Sequence, residues 1–318
     1  MTLRLTVQRA AWESHIDALA ASVDGLVPVV KGNGYGFGRA TLHPMIKTLA
    51  DYVCVGTVHE LDHVADRVTP VVLTPSPVPP PTPATGATAS AVMTVGSLDD
   101  VAALAGWRGR VIIKLQSSMR RFGATAAEVE AVNFAARAAG LDVVGFALHL
   151  PLAGTDADRV AEVDAWLDQI DAHQPLWLSH LQPQAYSALR ARYPDRIFRL
   201  RLGTALWHGD KSFLHLHADV LALHPIAAGD RAGYQLVEAA DDGHLVLVGA
   251  GSANGVAPLA NGSSPFHFEH TRLSLLEPPH MHTSMVLAPI GTPCPAVGER
   301  VDVQRPLIST LVDEVEWV

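Results

Sequence analysis

Eight short runs rich in Val, Leu and Ile constrain this chain more than any other feature. They are LVPVVKG (26–32), YVCVGT (52–57), PVVLTP (70–75), AVMTV (91–95), VIIKLQ (111–116), DVVGFALHL (142–150), PLWLSHL (175–181) and IFRLRLG (197–203). Several are apolar throughout, the pattern of strands covered on both faces, as in parallel sheets. Helical periodicity fills most of the gaps. Residues 9–22 place Ala11, Ile16, Leu19 and Ala20 on one face, and 125–140 and 156–171 read the same way. Thr155 and Asp156 supply N-cap chemistry for the last of these. Strand and helix alternating eight times predict an α/β chain folded as a closed (β/α)8 TIM-type barrel, which needs about 250 residues. The alternative is an open doubly wound sheet, but no GxGxxG follows the first strand.

Two regions break the rhythm. TPSPVPPPTPATG (74–86) is too rich in Pro for a helix or inner strand and reads as a stiff surface loop. Beyond about residue 215, short strand-like runs separated by Gly, Pro and Asp predict a small, mainly β C-terminal domain. The expected organisation is a barrel over 9–215 and a β domain over 216–318, joined by an N-terminal strand at 2–8.

The 318 residues carry a net charge of −9, which argues against nucleic acid and against an anionic membrane surface as partners. Two distant cysteines, Cys54 and Cys294, form neither a disulfide framework nor a metal-ligand spacing, as expected of thiols in a reducing cytoplasm. No apolar stretch reaches the length of a membrane span, and the first residues lack the apolar run of a signal peptide. The expected setting is cytoplasmic, with no metal.

The chemistry concentrates in VVKGNGYGFG (29–38). Lys31 stands at the C-terminal end of the first barrel strand, the end where active sites of this fold sit. Apolar flanks desolvate its ammonium and lower its pKa, which suits Schiff-base chemistry. Four glycines in the next seven residues let the backbone approach a ligand, and Tyr35 adds a hydroxyl. The competing reading is a glycine-rich turn beside a solvated lysine.

This segment resembles the cofactor-lysine motif of the alanine racemase family. The resemblance implies that Lys31 holds pyridoxal phosphate and that Tyr35 contacts its phosphate. KLQSSMRRFG (114–123) is similar to a second family segment, matching at Lys114, Met119, Arg121 and Gly123. It implies that Arg121 meets the substrate carboxylate and cofactor oxygen, for which guanidinium geometry is apt. Gln116 and Ser118 depart from the family's Asp and Gly. FALHLP places His149 where a family histidine lies against the cofactor ring. WLSHLQ places His180 at the next strand end, without the family's following Asn-Ser pair. RLGTALW (201–207) implies Arg201 as partner of the pyridine nitrogen and the Gly203 and Thr204 amides as a phosphate cradle. A guanidinium stays protonated. It leaves that nitrogen unprotonated and favours proton transfer at Cα over loss of CO₂.

The last third resembles the family less. GAGSANG (249–255) places Ser252 where the family has a tyrosine that acts as second base from the partner subunit. EPPHMHTSM (277–285) matches a substrate-binding segment at Met281 and puts His282 where Asp is usual. The resemblance implies a homodimeric amino acid racemase or epimerase, with Lys31 as one base and His282 or Ser252 as candidates for the other. Two alternatives stay open: a one-face enzyme (lyase, transaminase or decarboxylase-like), and a protein that binds the cofactor without catalysis. The β domain speaks against the last.

Overall fold

The computed structural model describes residues 2–80 and 90–318. The chain opens with strand β1 (Leu3–Val7) and helix α1 (Arg9–Ser22). It divides into two compact units. A barrel unit holds Ser14–Gly34 and the described residues of 39–207; a β unit holds the residues up to Glu13, Tyr35–Gly38 and His208–Val318.

The eight apolar runs each form a barrel strand: β2 (Leu26–Pro28), β3 (Tyr52–Val55), β4 (Thr69–Val72), β5 (Val92–Val95), β6 (Arg110–Leu115), β7 (Asp142–Leu148), β8 (Leu176–Ser179) and β9 (Phe198–Leu202). They pair in parallel in the order β2-β9-β8-β7-β6-β5-β4-β3. A parallel bridge between Val29 and Cys54, with the Val30 amide donating to the Cys54 carbonyl at 2.8 Å, brings β2 to β3 and nearly closes the ring. The strands are buried almost throughout, which is why they read as continuous apolar runs. β6 and β7 slip register between Val111 and Ile113. There Gly145 sits at φ +150°, and an added Cβ would lie 2.6 Å from the Pro175 carbonyl, so only glycine fits.

The connecting helices are α2 (Arg39–Leu49), α3 (Leu98–Ala103), α4 (Val129–Ala138), α5 (Asp156–Leu167), α6 (Pro183–Arg192) and α7 (Thr204–His208). Thr155 caps α5 in a reciprocal box with Asp158. α4 buries Val129, Val132 and Ala136, one helical face. The proline-rich segment is coil as far as residue 80; its remainder lies outside the described residues.

In the β unit, strands β10 (Leu214–Ile226), β13 (Gly243–Val248), β14 (Phe266–Phe268), β15 (Thr271–Arg272), β16 (Ser274–Leu275), β17 (Ser284–Pro289), β18 (Arg300–Val303) and β19 (Glu314–Trp317) join β1 in a nine-stranded sheet. β11 (Arg231–Ala232) and β12 (Val237–Glu238) form a separate hairpin. The long β10 pairs with β1, β13 and β18. Alternation sorts the two faces. Leu3 packs with Ala218, Val220, Val246, Val248, Phe266 and Val286 in a fully buried core, where each larger aliphatic contributes roughly 1.5–3 kcal/mol. Arg4, between Leu3 and Leu5, points the other way and pairs with Asp219 at 2.7 Å and Glu314 at 3.1 Å.

Candidate functional site

The C-terminal ends of the barrel strands carry the chemistry. Strand β2 ends at Pro28, earlier than its apolar run, and Val29 and Val30 continue it with single hydrogen bonds to Leu202 and Cys54. Lys31 follows, with its side chain accessible to solvent. The turn after it is clamped. Glu60 accepts from the Gly32 amide at 3.2 Å and the Gly56 amide at 2.8 Å, and Arg39 donates to the Gly32 carbonyl at 2.9 Å. Gly34, at φ +63°, passes so close that a Cβ would stand 2.5 Å from the Arg39 nitrogen.

Around the mouth cations predominate, with the Glu60 carboxylate held at the turn after Lys31. Lys114, near the end of β6, is 4% exposed, and Arg201, in β9, is 5% exposed. The Arg201 guanidinium donates to the carbonyls of Leu148 at 2.8 Å and Leu178 at 3.3 Å. Arg121 stands in the loop between Gln116 and Ala124, its guanidinium over the Phe122 ring at 5.5 Å. Among the described residues, none of Lys31, Lys114, Arg121 and Arg201 has a carboxylate in ion-pair range. Burial and the neighbouring cations act together. Desolvation, then Arg201 and Arg121, push Lys114 down to about 7. Desolvation, then Arg121 and Arg201, lower Lys31, although Cys54 and Glu60 pull the other way. Burial pushes the Cys54 thiol up to about 11, against the pull of Arg201, Lys114 and Lys31.

Two histidines line the same ends, their rings 4.7 Å apart. Ser179 Oγ accepts from the Leu150 amide at 3.2 Å and lies 2.8 Å from His149 Nδ1. Its hydroxyl thus ties the His149 ring to the backbone at the end of β7. Burial, then Arg201, Lys114, His180 and Arg121, push His149 down to about 2, so it is neutral at physiological pH. His180 holds φ 61° and bonds the Leu150 carbonyl through Nδ1 at 2.6 Å. Desolvation lowers it, despite that bond. Gly203 and Thr204 lead into α7, and the Gly203 carbonyl caps it from Leu206 and Trp207 at 3.0 Å.

The structure therefore brings together Lys31, Lys114, Arg121, Arg201, His149 and His180 through their shared electrostatics. An unneutralised buried cation is costly unless something anionic meets it. A doubly charged phosphate ester with a phenolic oxygen is such a partner, and a lysine of lowered pKa is apt for an imine with its aldehyde. The residues present fit pyridoxal phosphate.

The remaining sequence-predicted residues belong to the β unit. Tyr35 is buried at φ 58°, with His208 Nε2 bonded to its carbonyl at 2.7 Å. Ser252 begins a short turn after β13, and its amide donates to the His280 carbonyl at 2.7 Å. The Ala253 amide donates to the Met281 carbonyl at 2.9 Å. Ser252, Met281 and His282 thus share one pair of adjoining loops, and all three are exposed. The same loops hold a group that sequence reasoning missed. The Glu277 carboxylate accepts from the amides of Tyr234 and Gln235 and from His280 Nε2, and the Tyr234 ring lies 4.4 Å from the His280 ring. The Glu-to-His spacing of three was visible; the part played by the turn 43 residues earlier was not.

A family model described as alanine racemase, N-terminal domain, matches residues 7–210. No curated protein matches the chain in sequence. Solved structures do. Alanine racemase from Bartonella henselae with covalently bound pyridoxal phosphate is 17% identical, with a TM-score of 0.77 over 100% of both chains. The biosynthetic alanine racemase from Pseudomonas aeruginosa is 19% identical, with a TM-score of 0.69 over 100% of this chain and 99% of that one. Alanine racemase from Bacillus anthracis with bound L-Ala-P is 18% identical, with a TM-score of 0.71 over 95% and 85%. At these identities the likeness is one of fold. No helix among the described residues is long and apolar enough to cross a membrane.

Proposed function

The chain belongs to the alanine racemase family, and on that premise we propose that it is a pyridoxal-phosphate-dependent racemase or epimerase of a small amino acid. The observation that carries the reading is the cluster of Lys31, Lys114, Arg121 and Arg201 at the ends of parallel barrel strands, with no carboxylate in ion-pair range among the described residues. When bound, the cofactor supplies an electron sink for loss of the Cα proton.

The chain's own residues do the rest. Lys31 Nζ would hold the cofactor covalently, and its free amine would take or return a proton at Cα. Burial and the nearby Arg121 and Arg201 lower its pKa, which favours the neutral amine that task needs. Arg201, fixed by two backbone carbonyls, is the partner of the pyridine nitrogen, and its permanent charge disfavours protonation there. Neutral His149, oriented by Ser179, would face the cofactor ring. Gly203, Thr204 and Tyr35 are the proposed phosphate contacts, and Arg121 and Met281 those of the substrate. Racemisation needs an acid–base group on each face of Cα. Ser252 and His282 were the sequence's candidates for the second, supplied by a second copy in a homodimer. The proposed setting is the cytoplasm, where the free Cys54 and Cys294 are at home.

The test joins borohydride reduction, peptide mapping and Cα exchange. The expected result is a reduced adduct on Lys31, with solvent deuterium entering both enantiomers of one amino acid. An adduct on another lysine overturns the cofactor assignment. Exchange from one enantiomer alone favours the one-face alternative, which Ser252 in place of a phenol already invites.

A further inference from the structure

The loops of the β unit contain a buried carboxylate whose partners need explaining. Glu277 has a side chain only 2% exposed. Burying a carboxylate is costly, and this one is held by three donors: the Tyr234 amide at 2.8 Å, the Gln235 amide at 2.9 Å and His280 Nε2. Burial alone would raise its pKa, but the hydrogen bonds outweigh that and hold it below the ordinary range. An ionised carboxylate only accepts. His280 Nε2 must therefore carry the proton of this bond, which leaves Nδ1 as the ring's other position for a proton. Among the described residues Nδ1 has no hydrogen-bond partner.

The ring is held from other sides too. The Tyr234 ring lies against it, tilted by 47° with centroids 4.4 Å apart. The His280 carbonyl accepts from Ser252, and the Met281 carbonyl from Ala253. Gly251 comes so near these carbonyls that no side chain fits there. Around this fixed imidazole the apolar side chains face solvent: Tyr234 is 86% exposed and Met281 67%. A staple joining the 233–236 turn to the 277–282 loop needs Glu277 and two amides. It does not need an immobilised imidazole with a vacant nitrogen. A carboxylate fixing one ring nitrogen while the other is left for a proton is how a general acid–base histidine is built.

We infer that His280, oriented by the buried Glu277, is an acid–base group of this protein and the second one of the proposed racemisation, delivered by a second copy of the chain. Glu277 is then a positioning residue. The inference rests on the racemase reading above. The balance is simple: Nδ1 takes or gives one Cα proton while Lys31 Nζ gives or takes the other, and no electrons are transferred.

The experiment has two arms. The first follows solvent deuterium into the D- and L-forms of whichever common amino acid the wild-type holoenzyme exchanges fastest. His280→Asn is expected to keep exchange from one enantiomer and to lose it from the other by about 10²- to 10⁴-fold. Glu277→Gln is expected to do the same more mildly. Undiminished two-sided exchange in His280→Asn overturns the inference and leaves the racemase reading standing. Wild-type protein that exchanges one enantiomer or none overturns the racemase reading, and with it the role given to His280. The second arm needs no cofactor. Nitrogen-15 NMR of the cofactor-free protein should show His280 as the Nε2–H tautomer, lost on Glu277→Gln. A wild-type ring with its proton on Nδ1 overturns the dyad whatever the reaction.

Discussion

Two regions of this molecule handle buried charge in opposite ways. In the barrel unit, Lys114 and Arg201 lie inside the strand ends with Lys31 and Arg121 nearby, and among the described residues no acid comes within ion-pair range of them. In the β unit, Arg4 and Arg300 run across β1, β10, β18 and β19, where Asp219, Glu314 and Glu316 meet them. The second arrangement is complete without a ligand. The first is stable only because the fold around it is, and it is relieved by an anion. Unpaired buried charge marks where a protein expects company, and paired charge marks where it does not.

The largest expected effect comes from removing the one cation proposed to react. Lys31→Ala should abolish covalent cofactor attachment and lower Cα exchange by at least about 10²- to 10⁴-fold. The other three cations should still retain the cofactor without a bond. Absorbance after borohydride treatment and gel filtration separates the two forms. A variant that keeps a reducible adduct breaks the assignment.

Next in size is a change whose sign is the point. Lys114 has a folded pKa of about 7 against an ordinary 10.5. Between those values the unfolded chain binds the proton and the folded one does not, so stability rises with pH across that window. Below pH 7 the full cost of the buried ammonium is present, as much as about 5 kcal/mol at 1.36 kcal/mol per unit. Lys114→Met should therefore stabilise the cofactor-free protein at pH 6 and flatten its pH dependence up to 10.5. Urea unfolding of both proteins measures it. A destabilised variant would mean that the cation has a partner in the apoprotein.

His43 sharpens the same contrast in the opposite pH range. It is fully buried in α2, and neither ring nitrogen has a hydrogen-bond partner among the described residues. Burial first, then Arg39 and His63, push it down to about 4. The unfolded chain takes up its proton near the ordinary 6.5. Stability should thus fall by about 3 kcal/mol as pH drops from 6.5 to 4, and His43→Leu should remove that slope. An unchanged slope would show that protonation there costs nothing.

How far such features were legible in the sequence follows from their range. The barrel strands showed themselves because burial on both faces writes an unbroken apolar run, as in VIIKLQ. Their ends did not, since Val29 and Val30 are as apolar as β2 but lie outside its ladder, the Val29 carbonyl accepting from Trp207 Nε1. The α5 cap was visible because Thr155 stands directly before the helix, although its reciprocal partner is Asp158 and not the Asp156 beside it. Lys31, Arg121, His149 and Arg201 stood out as candidates because each lies in a recognisable segment at or after a strand. The Glu277–His280–Tyr234 group could not, because it joins two loops far apart in sequence, one of them the turn of a hairpin with two-residue strands. Strands of two residues, such as β15 and β16, carry no periodicity to read.

The smallest expected effect tests the paired side of the contrast. Arg300 reaches Glu316 at 2.9 Å, with side chains 41% and 33% exposed. Water and salt screen such a pair, and ordering two long side chains offsets part of its attraction, so its coupling should fall within about 0.2–1 kcal/mol. A double-mutant cycle with Arg300→Met and Glu316→Gln isolates it, because Thr6 and His217 also touch these groups and would contaminate either single change. The coupling should be largest at low salt and should vanish near 1 M, where the screening length is about 3 Å. Arg300→Met should also be mildly destabilising, opposite in sign to Lys114→Met. A coupling well above 1 kcal/mol that ignores salt would place this ladder among buried, functional charges. The two regions would then no longer differ in kind.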